Sequence, residues 1–305
     1  MHQNLPTPLP LVSFGVPAYN HERYIQRCLD AIADEPYEPK ELVLIDDGST
    51  DTTRAIIERW IAENRHRLSV NFISRPNRGV SATLNEIVSH CRGKYLRICA
   101  SDDYVMAGSL TDMVMALESH PAKRVVIGDA IIVDENDACT MDSAIFSFYH
   151  GRKKNYFSDA GLLQEIVCNW SLPGCVQLLR RDLYSEIGGY DEQLKIEDWD
   201  FMLRVVARNY LMYIDRKVAA YRVHSSNSFK TISKKDPLES ARLSLRVLEQ
   251  RHTLFSGRVR RAVDYRLLKE RGIVEHLLRG RRPNRLAKIR IRLYARIRTL
   301  FRQVP

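Results

Sequence analysis

At 305 residues, 45% of them hydrophobic, the chain is long enough for one large domain, or a domain with an appendage, around a sizeable core. Its net charge of +10 is concentrated: Arg279 to Pro305 holds ten Lys or Arg and no acid, so the rest is near neutral and a general nucleic-acid-binding surface loses its motivation. The six cysteines form no C-x-x-C pair and read as reduced core thiols rather than zinc ligands, MHQNLPTPLP is not a secretory signal, and no apolar run approaches the roughly 20 residues that span a bilayer.

In chain order, Leu11–Val16 is apolar and partly β-branched and reads as the first strand, followed by a helix over His21–Ala33 with Tyr24, Ile25, Cys28, Leu29 and Ile32 at helical spacing. Glu41–Ile45 is a second strand. Asp51–Ala62 is a helix that Ser49, Thr50 or Asp51 can cap. Val70–Ser74, Tyr95–Cys99 and Arg124–Val133 are further strands, separated by helices over Val80–Cys91 and Ser109–Ser119. This alternation through about 135 residues implies βαβ units and a mostly parallel central sheet flanked by helices, an α/β fold. Asp134–Asn155 is irregular, and a long loop in a compact domain is often functional. Ser158–Trp170 reads as a helix, Cys175–Leu179 as a strand and Arg181–Ile187 as a short helix ended by Gly188–Gly189. A helix follows over Trp199–Arg208, then two short strands, Met212–Ile214 and Ala219–Val223. From Pro237 the pattern is helical and rich in Arg.

Polar stretches hang off these elements: VPAYN (Val16–Asn20), IDDGSTD (Ile45–Asp51), RPNRGVSATLN (Arg75–Asn85), ASDD (Ala100–Asp103) and IEDWD (Ile196–Asp200). In an open α/β sheet, ligands bind where such strand-end loops gather. Asp46 and Asp47 are unfavourable neighbours unless a donor or cation answers them, yet Asp, Gly, Ser and Thr also make ordinary turns and caps. Asp102 and Asp103 suit a hard divalent cation or an exposed turn; two acidic pairs from neighbouring parallel strands facing one crevice favour the former. Glu197 or Asp198 fits a general base, or an acid complementing a helix N-terminus. His224 fits a metal ligand, a donor to phosphate, or a surface residue. Arg75 and Arg78 bracket Asn77, and Arg78–Gly79 precedes a helix whose first amides suit an anion.

The ordered set resembles the family 2 glycosyltransferases of the GT-A fold, over roughly Leu11–Ser228. VPAYN, IDDGSTD, N-x-G at Asn77–Gly79, the strand-end Asp102–Asp103, GGYDE and the Glu197–Asp198–Trp199 motif carry the likeness together; each alone is loose. The resemblance implies that Pro17, Ala18, Tyr19 and Asn20 pack around a nucleobase. Asp47 contacts the nucleoside with Asp46 as its partner, and Asn77, Gly79 and Asn85 lie near the donor. Asp102 and Asp103 hold the ribose and a metal–diphosphate, with His224 as a late ligand. Glu197 and Asp198 form the acceptor-side pair, Asp198 being the base, and Trp199 lies toward the acceptor. Many members carry an Asp where this chain has Ala100, so the metal site is expected with fewer carboxylates.

The implied reaction is an inverting transfer of a sugar from a nucleotide-diphosphate sugar, UDP preferred and dTDP or GDP open, to a saccharide hydroxyl in cell-surface polysaccharide synthesis, with Mn²⁺ or Mg²⁺ as cofactor. Residues 1–230 are expected to form the transferase domain, with a donor half (9–135) and an acceptor half (136–230), and residues 231–305 a helical extension. In Arg285–Arg302 an apolar stripe (Leu286, Ile289, Leu293, Ile297, Leu300, Phe301) lies among cations, a pattern suited to an anionic membrane surface, to packing on the domain or to a partner. A lipid-linked acceptor and a cytoplasmic protein peripheral to the cell membrane follow from the first. The rivals are a sugar-nucleotide pyrophosphorylase, which would show a Gly-rich basic first loop instead of VPAYNHERY, and a catalytically impaired scaffold or membrane-surface protein, supported only by Ala100. No nucleic-acid motif or aromatic platform accompanies the basic tail.

Overall fold

The computed structural model describes residues 8–225, 227, 236–279 and 289. The apolar runs form β1 (Val12–Ala18), β2 (Lys40–Asp46), β3 (Ser69–Ser74) and β4 (Tyr95–Ile98), paired in parallel in the order β3-β2-β1-β4. Parallel neighbours need crossovers. These are α1 (Ile25–Asp34), α2 (Thr53–Asn64) and α3 (Val80–His90). β2 is buried along its whole length, as a strand covered on both faces must be. α1 buries Ile25, Cys28, Leu29 and Ile32 at the spacing read from sequence. It begins later than expected because His21 is spent in a turn, its carbonyl accepting from the Tyr24 and Ile25 amides. The strand order reverses between β1 and β4, which opens a crevice at their carboxyl ends.

Past β4 the simple alternation stops. β5 (Tyr104–Val105), too short to leave a periodic signal, and α4 (Ser109–Ser119) precede β6 (Val125–Val133). β6 does not join β4 directly: β8 (Gln177–Arg180) lies between them, antiparallel to both. β9 (Leu211–Arg222) runs parallel to β6, giving a nine-stranded mixed sheet in which the longest ladders are parallel. The two strands expected at Met212–Ile214 and Ala219–Val223 are thus one. Register shifts opposite Asp129 carry the polar residues between them without breaking the pairing, as a bulge does. The stretch expected to be irregular contains β7 (Cys139–Met141), paired with β6, and a π-helical turn at Ala144–Phe148. Buried Asp129 holds that turn by accepting from Ser143 Oγ (2.7 Å) and the Ile145 amide (3.0 Å).

The remaining helices are α5 (Asp159–Cys168), α6 (Leu183–Ile187), α7 (Glu197–Ala207), α8 (Pro237–Arg251) and α9 (Gly257–Leu278). α8 starts with an Asp236 cap, which accepts from the Leu238 and Glu239 amides, and a proline at its first position. Arg251 at its end pairs with the fully buried Asp200 of α7, Nε to Oδ1 2.5 Å. In α9, Arg266 donates to the Cys168 carbonyl at 2.6 Å. Both C-terminal helices are therefore fastened beside α5 and α7. Cys28, Cys91, Cys99 and Cys175 are buried free thiols, while Cys139 is exposed. Apart from Ile289, the basic segment Arg285–Arg302 lies outside the described residues. Among those described, no helix is long and apolar enough to cross a membrane.

Candidate active site

A cleft of about 900 Å³ lies over the carboxyl ends of β1, β2 and β4, a volume suited to a ligand of nucleotide-sugar size. Asp47, Asp102, Asp103 and Asp198, far apart in sequence, all line it. So do Pro17, Ala18, Tyr19, Asn20, Asn77, Gly79, Glu197 and Trp199.

On the strand-end side the local structure explains why each acid is tolerated. Asp47 is buried, and its carboxylate accepts from the Arg78 amide (2.8 Å), the Gly79 amide (3.0 Å) and the Arg75 guanidinium. Arg75 also binds Glu86 (2.7 Å) and Thr83 (3.0 Å), which fixes it to α3. This arrangement requires Gly48, at φ +77°: a Cβ there would sit 2.7 Å from the Asn77 amide nitrogen. Gly79, at φ +87°, starts α3 in a conformation that side chains disfavour. Asp46 turns the other way. It accepts from Ser74 Oγ (3.0 Å) and the Ser49 amide (3.3 Å) and does not line the cleft. The adjacent carboxylates thus escape each other by facing opposite ways. Asn20 ties the loop after β1 to the loop after β2, its Oδ1 accepting from the Thr50 amide (2.7 Å) and its own amide donating to Ser49 Oγ (2.9 Å). Tyr19 is half-exposed at the cleft.

Asp102 and Asp103 also separate. Asp102 Oδ2 lies 3.0 Å from His224 Nε2 and 3.8 Å from His21 Nε2. Burial pushes the Asp102 carboxyl up, but the His224 hydrogen bond and the two imidazoles outweigh it and hold it below its ordinary range. Asp103 is buried and accepts from the Arg222 amide at 2.8 Å. Burial, then the neighbouring Asp102 charge, raise it well above the usual carboxyl value. Among the described residues the group able to hold a metal is therefore His21, Asp102 and His224, whose ligand atoms all lie within 4.8 Å of one another; Asp103, expected as a ligand, is not among them. One carboxylate and two imidazoles are a fitting donor set for a divalent transition-metal ion. His21 escaped the sequence analysis although it directly follows VPAYN; the signal was a histidine one residue past the strand-end motif.

Across the cleft, α7 begins at Glu197, two residues before the expected start, so both acids sit in its first turn. Each keeps part of its surface on the cleft while protein crowds its other sides. Desolvation, then the Asp198 charge, push Glu197 up to about 8. Desolvation also raises Asp198, against the opposing hydrogen bond from the Trp199 amide (2.7 Å). Asp200, a little more than half a turn on, faces away and pairs with Arg204 and Arg251. Trp199 is almost wholly buried, its indole N–H donating to the Ile166 carbonyl (2.8 Å) and the Arg266 guanidinium lying over its ring, so it packs in the core while lining the cleft.

Asn85 corrects another expectation. It does not line the cleft; its side chain clamps both the amide (2.8 Å) and the carbonyl (3.0 Å) of Tyr190. Arg204 donates to the carbonyls of Ile187, Gly188 and Gly189. Together they set the path of the loop that delivers Glu197 and Asp198. Sequence reasoning also missed Ser240, Ser244 and Arg266 of the C-terminal helices, which complete the cleft. Those helices read only as an extension, because amphipathicity does not say which strand ends a helix will reach.

The family model for glycosyl transferase family 2 matches residues 13–188. The chain is 38% identical over 97 residues to the chondroitin synthase of Pasteurella multocida, a match covering 32% of this chain but only 10% of that much longer one. It is 26% identical over 232 residues to the putative glycosyltransferase EpsH of Bacillus subtilis, covering 74% of this chain and 64% of that one. In fold it is similar to the mannosyltransferase PcManGT of Pyrobaculum calidifontis, solved with GDP-Man and Mn²⁺ (TM-score 0.64, 17% identity, 98% of this chain and 90% of that chain). It is also similar to TarS of S. aureus, residues 1–349, solved with UDP-GlcNAc (TM-score 0.61, 20% identity, 88% and 72%). With its strand-end cleft, its order of acidic motifs and a family match over more than half its length, the chain belongs to glycosyl transferase family 2 and carries the GT-A fold.

Proposed function

We propose that the protein transfers a sugar, with inversion, from a nucleotide-diphosphate sugar to a hydroxyl of a saccharide acceptor in polysaccharide synthesis. The carrying observation is the gathering of Asp47, Asp102 and Asp198 on one cleft, with the Glu197–Asp198 pair kept basic by desolvation. Tyr19 and the loop after β1 offer a face for the nucleobase, and Asp47, held by two backbone amides and Arg75, is positioned for the nucleoside. Asp102 and His224 would hold Mn²⁺ or Mg²⁺. Such an ion, when bound, offsets the negative charge that grows on a departing diphosphate. Asp198 accepts the proton of the acceptor hydroxyl as that oxygen forms a bond to the anomeric carbon, and the bond to the diphosphate oxygen breaks on the opposite side. Desolvation raises the basicity of Asp198, and the Asp198 charge in turn raises Glu197.

UDP remains the preferred nucleotide, with GDP and dTDP open; solved neighbours hold UDP-GlcNAc and GDP-Man. Residues 1–230 would form the transferase unit. The helices after it would contribute Ser240, Ser244 and Arg266 to the acceptor side. A lipid-linked acceptor and a membrane-surface location would follow if the basic tail binds anionic lipid. The test is nucleotide release from a panel of nucleotide-sugars, with and without saccharide acceptors. Acceptor-stimulated release supports transfer; donor binding with no release for any acceptor or water would favour a scaffold.

A further inference from the structure

His21 is given no role in the proposed reaction, yet it belongs with Asp102 and His224 to the cleft's metal-like cluster. Its amide donates to Thr53 Oγ1 (2.8 Å), which anchors the residue between β1 and α2. Its Nδ1 lies 2.7 Å from Ser101 Oγ. A donor–acceptor contact there turns Nε2 toward Asp102, the arrangement in which one ring nitrogen is oriented by its environment and the other is offered to a metal. His224 is held likewise: its amide donates to Asn227 Oδ1 (2.7 Å) and its ring lies 4.8 Å from that of Tyr24. The two imidazoles meet edge to face, centroids 5.8 Å apart, with Asp102 Oδ2 within reach of both.

Two ligands about 2.1 Å from one ion lie ~3.0 Å apart at a right angle and ~4.2 Å apart across it. The observed separations from Asp102 Oδ2, 3.0 and 3.8 Å, fall in that span. Ala100 brings no ligand from the strand end. Nitrogen donors favour later transition metals, whereas Mg²⁺ prefers oxygen ligands and keeps its waters. We infer that His21 is the third ligand of a two-imidazole, one-carboxylate site with Asp102 and His224, and that this site prefers transition-metal dications to Mg²⁺, with Mn²⁺ as the spectroscopic probe. The inference deepens the transferase reading by adding a ligand and a metal preference to its cleft.

The test reads metal binding without turnover. The full-length protein, freed of metal, is titrated with Mn²⁺ alone and again with UDP present. Pulsed electron paramagnetic resonance then counts the coordinated imidazole nitrogens. The expected result is two nitrogens in the wild type and one in His21→Ala, with Mn²⁺ affinity falling roughly tenfold or more. Mg²⁺ is expected to displace Mn²⁺ only in large excess. His21→Ala keeps the backbone bond to Thr53, and an unchanged melting temperature without metal verifies its fold. One nitrogen or none in the wild type overturns the site whatever the variant does, as does an unchanged count in a folded His21→Ala. Displacement by equimolar Mg²⁺ overturns the selectivity. Two nitrogens in a protein that transfers no sugar would count against the transferase reading and leave this site standing; sugar transfer with a single nitrogen would do the reverse.

Discussion

The two sides of the cleft treat their carboxylates in opposite ways. On the strand-end side, Asp47 meets two backbone amides and a guanidinium, and Asp102 meets two imidazoles, so both face partners already in place. On the α7 side, Glu197 and Asp198 repel each other in a desolvated corner and hold their protons more tightly than carboxyls in water. A fixed anion suits binding, because its partners need not rearrange when a ligand arrives. A carboxylate whose basicity is raised suits proton acceptance near neutral pH. One acidic composition thus serves two tasks, and the surroundings of each acid, more than its identity, separate them.

The sharpest way to break this contrast is Asp198→Asn. On the proposed assignment, kcat falls by ~10²–10⁴-fold while donor binding, read by the rise in melting temperature with nucleotide-sugar, stays within twofold or so. An Asn variant with near-normal turnover would take Asp198 out of the base role. If Glu197→Gln then gave the larger loss, the two acids would exchange parts.

Asp47→Asn probes the other side. It removes the charge that Arg75 and the two amides answer, and charge-assisted hydrogen bonds of this kind are worth about 1.5–3 kcal/mol each. Nucleotide affinity by calorimetry is expected to fall by one to two orders of magnitude, on the order of that loss, with the variant's kcat at saturating donor changed less. A kcat loss as deep as that of Asp198→Asn, with donor affinity intact, would dissolve the distinction between the two sides.

The pH dependence sharpens it further. The proposed base must be deprotonated, so kcat/KM is expected to rise by about tenfold per pH unit on the acid side and to level off only above the ordinary carboxyl range, where the raised Asp198 loses its proton. Stability runs the opposite way. A carboxyl whose folded pKa is raised binds its proton more tightly in the native state, so unfolding free energy falls as pH climbs from the ordinary carboxyl range toward 8. Denaturant midpoints across this window should decline in the wild type and flatten in Glu197→Gln. A wild-type midpoint that stays level would show that the corner is better solvated than its crowding implies.

The same contrast marks how far the sequence could be read. The βαβ run and its strand ends were legible because buried parallel strands leave continuous apolar stretches such as Leu42–Ile45 and their helices leave periodic ones. Asp47, Asp102, Glu197 and Asp198 were legible as candidates because they stand at those ends. What was not legible depends on rotation and on long-range docking. Asp46 and Asp47 are neighbours, and only the φ of Gly48 and the reach of Arg75 decide which faces the cleft. Asp103 is drawn inward by the Arg222 amide, more than a hundred residues away, leaving its place beside Asp102 to histidines. β8 inserts between β4 and β6 through pairings with no local signature, so the order of the sheet's second half could not be read from the sequence.

Asn85 supplies the smallest effect and the most exacting control. It was expected beside the donor, but it lies behind the cleft and binds both polar groups of the Tyr190 backbone. Asn85→Ala strands an amide and a carbonyl in a partly buried loop, which costs about 1–3 kcal/mol of stability. Because that loop carries the chain from Gly188–Gly189 to the start of α7, the variant should loosen Glu197 and Asp198 while leaving Asp47 and its partners untouched. The expected pattern is a lower melting temperature, kcat down by only a few-fold, and nucleotide affinity unchanged by calorimetry. Nucleotide affinity falling as in Asp47→Asn would mean that the clamp supports the donor side as well, and the two sides of the cleft would have to be treated as one mechanical unit.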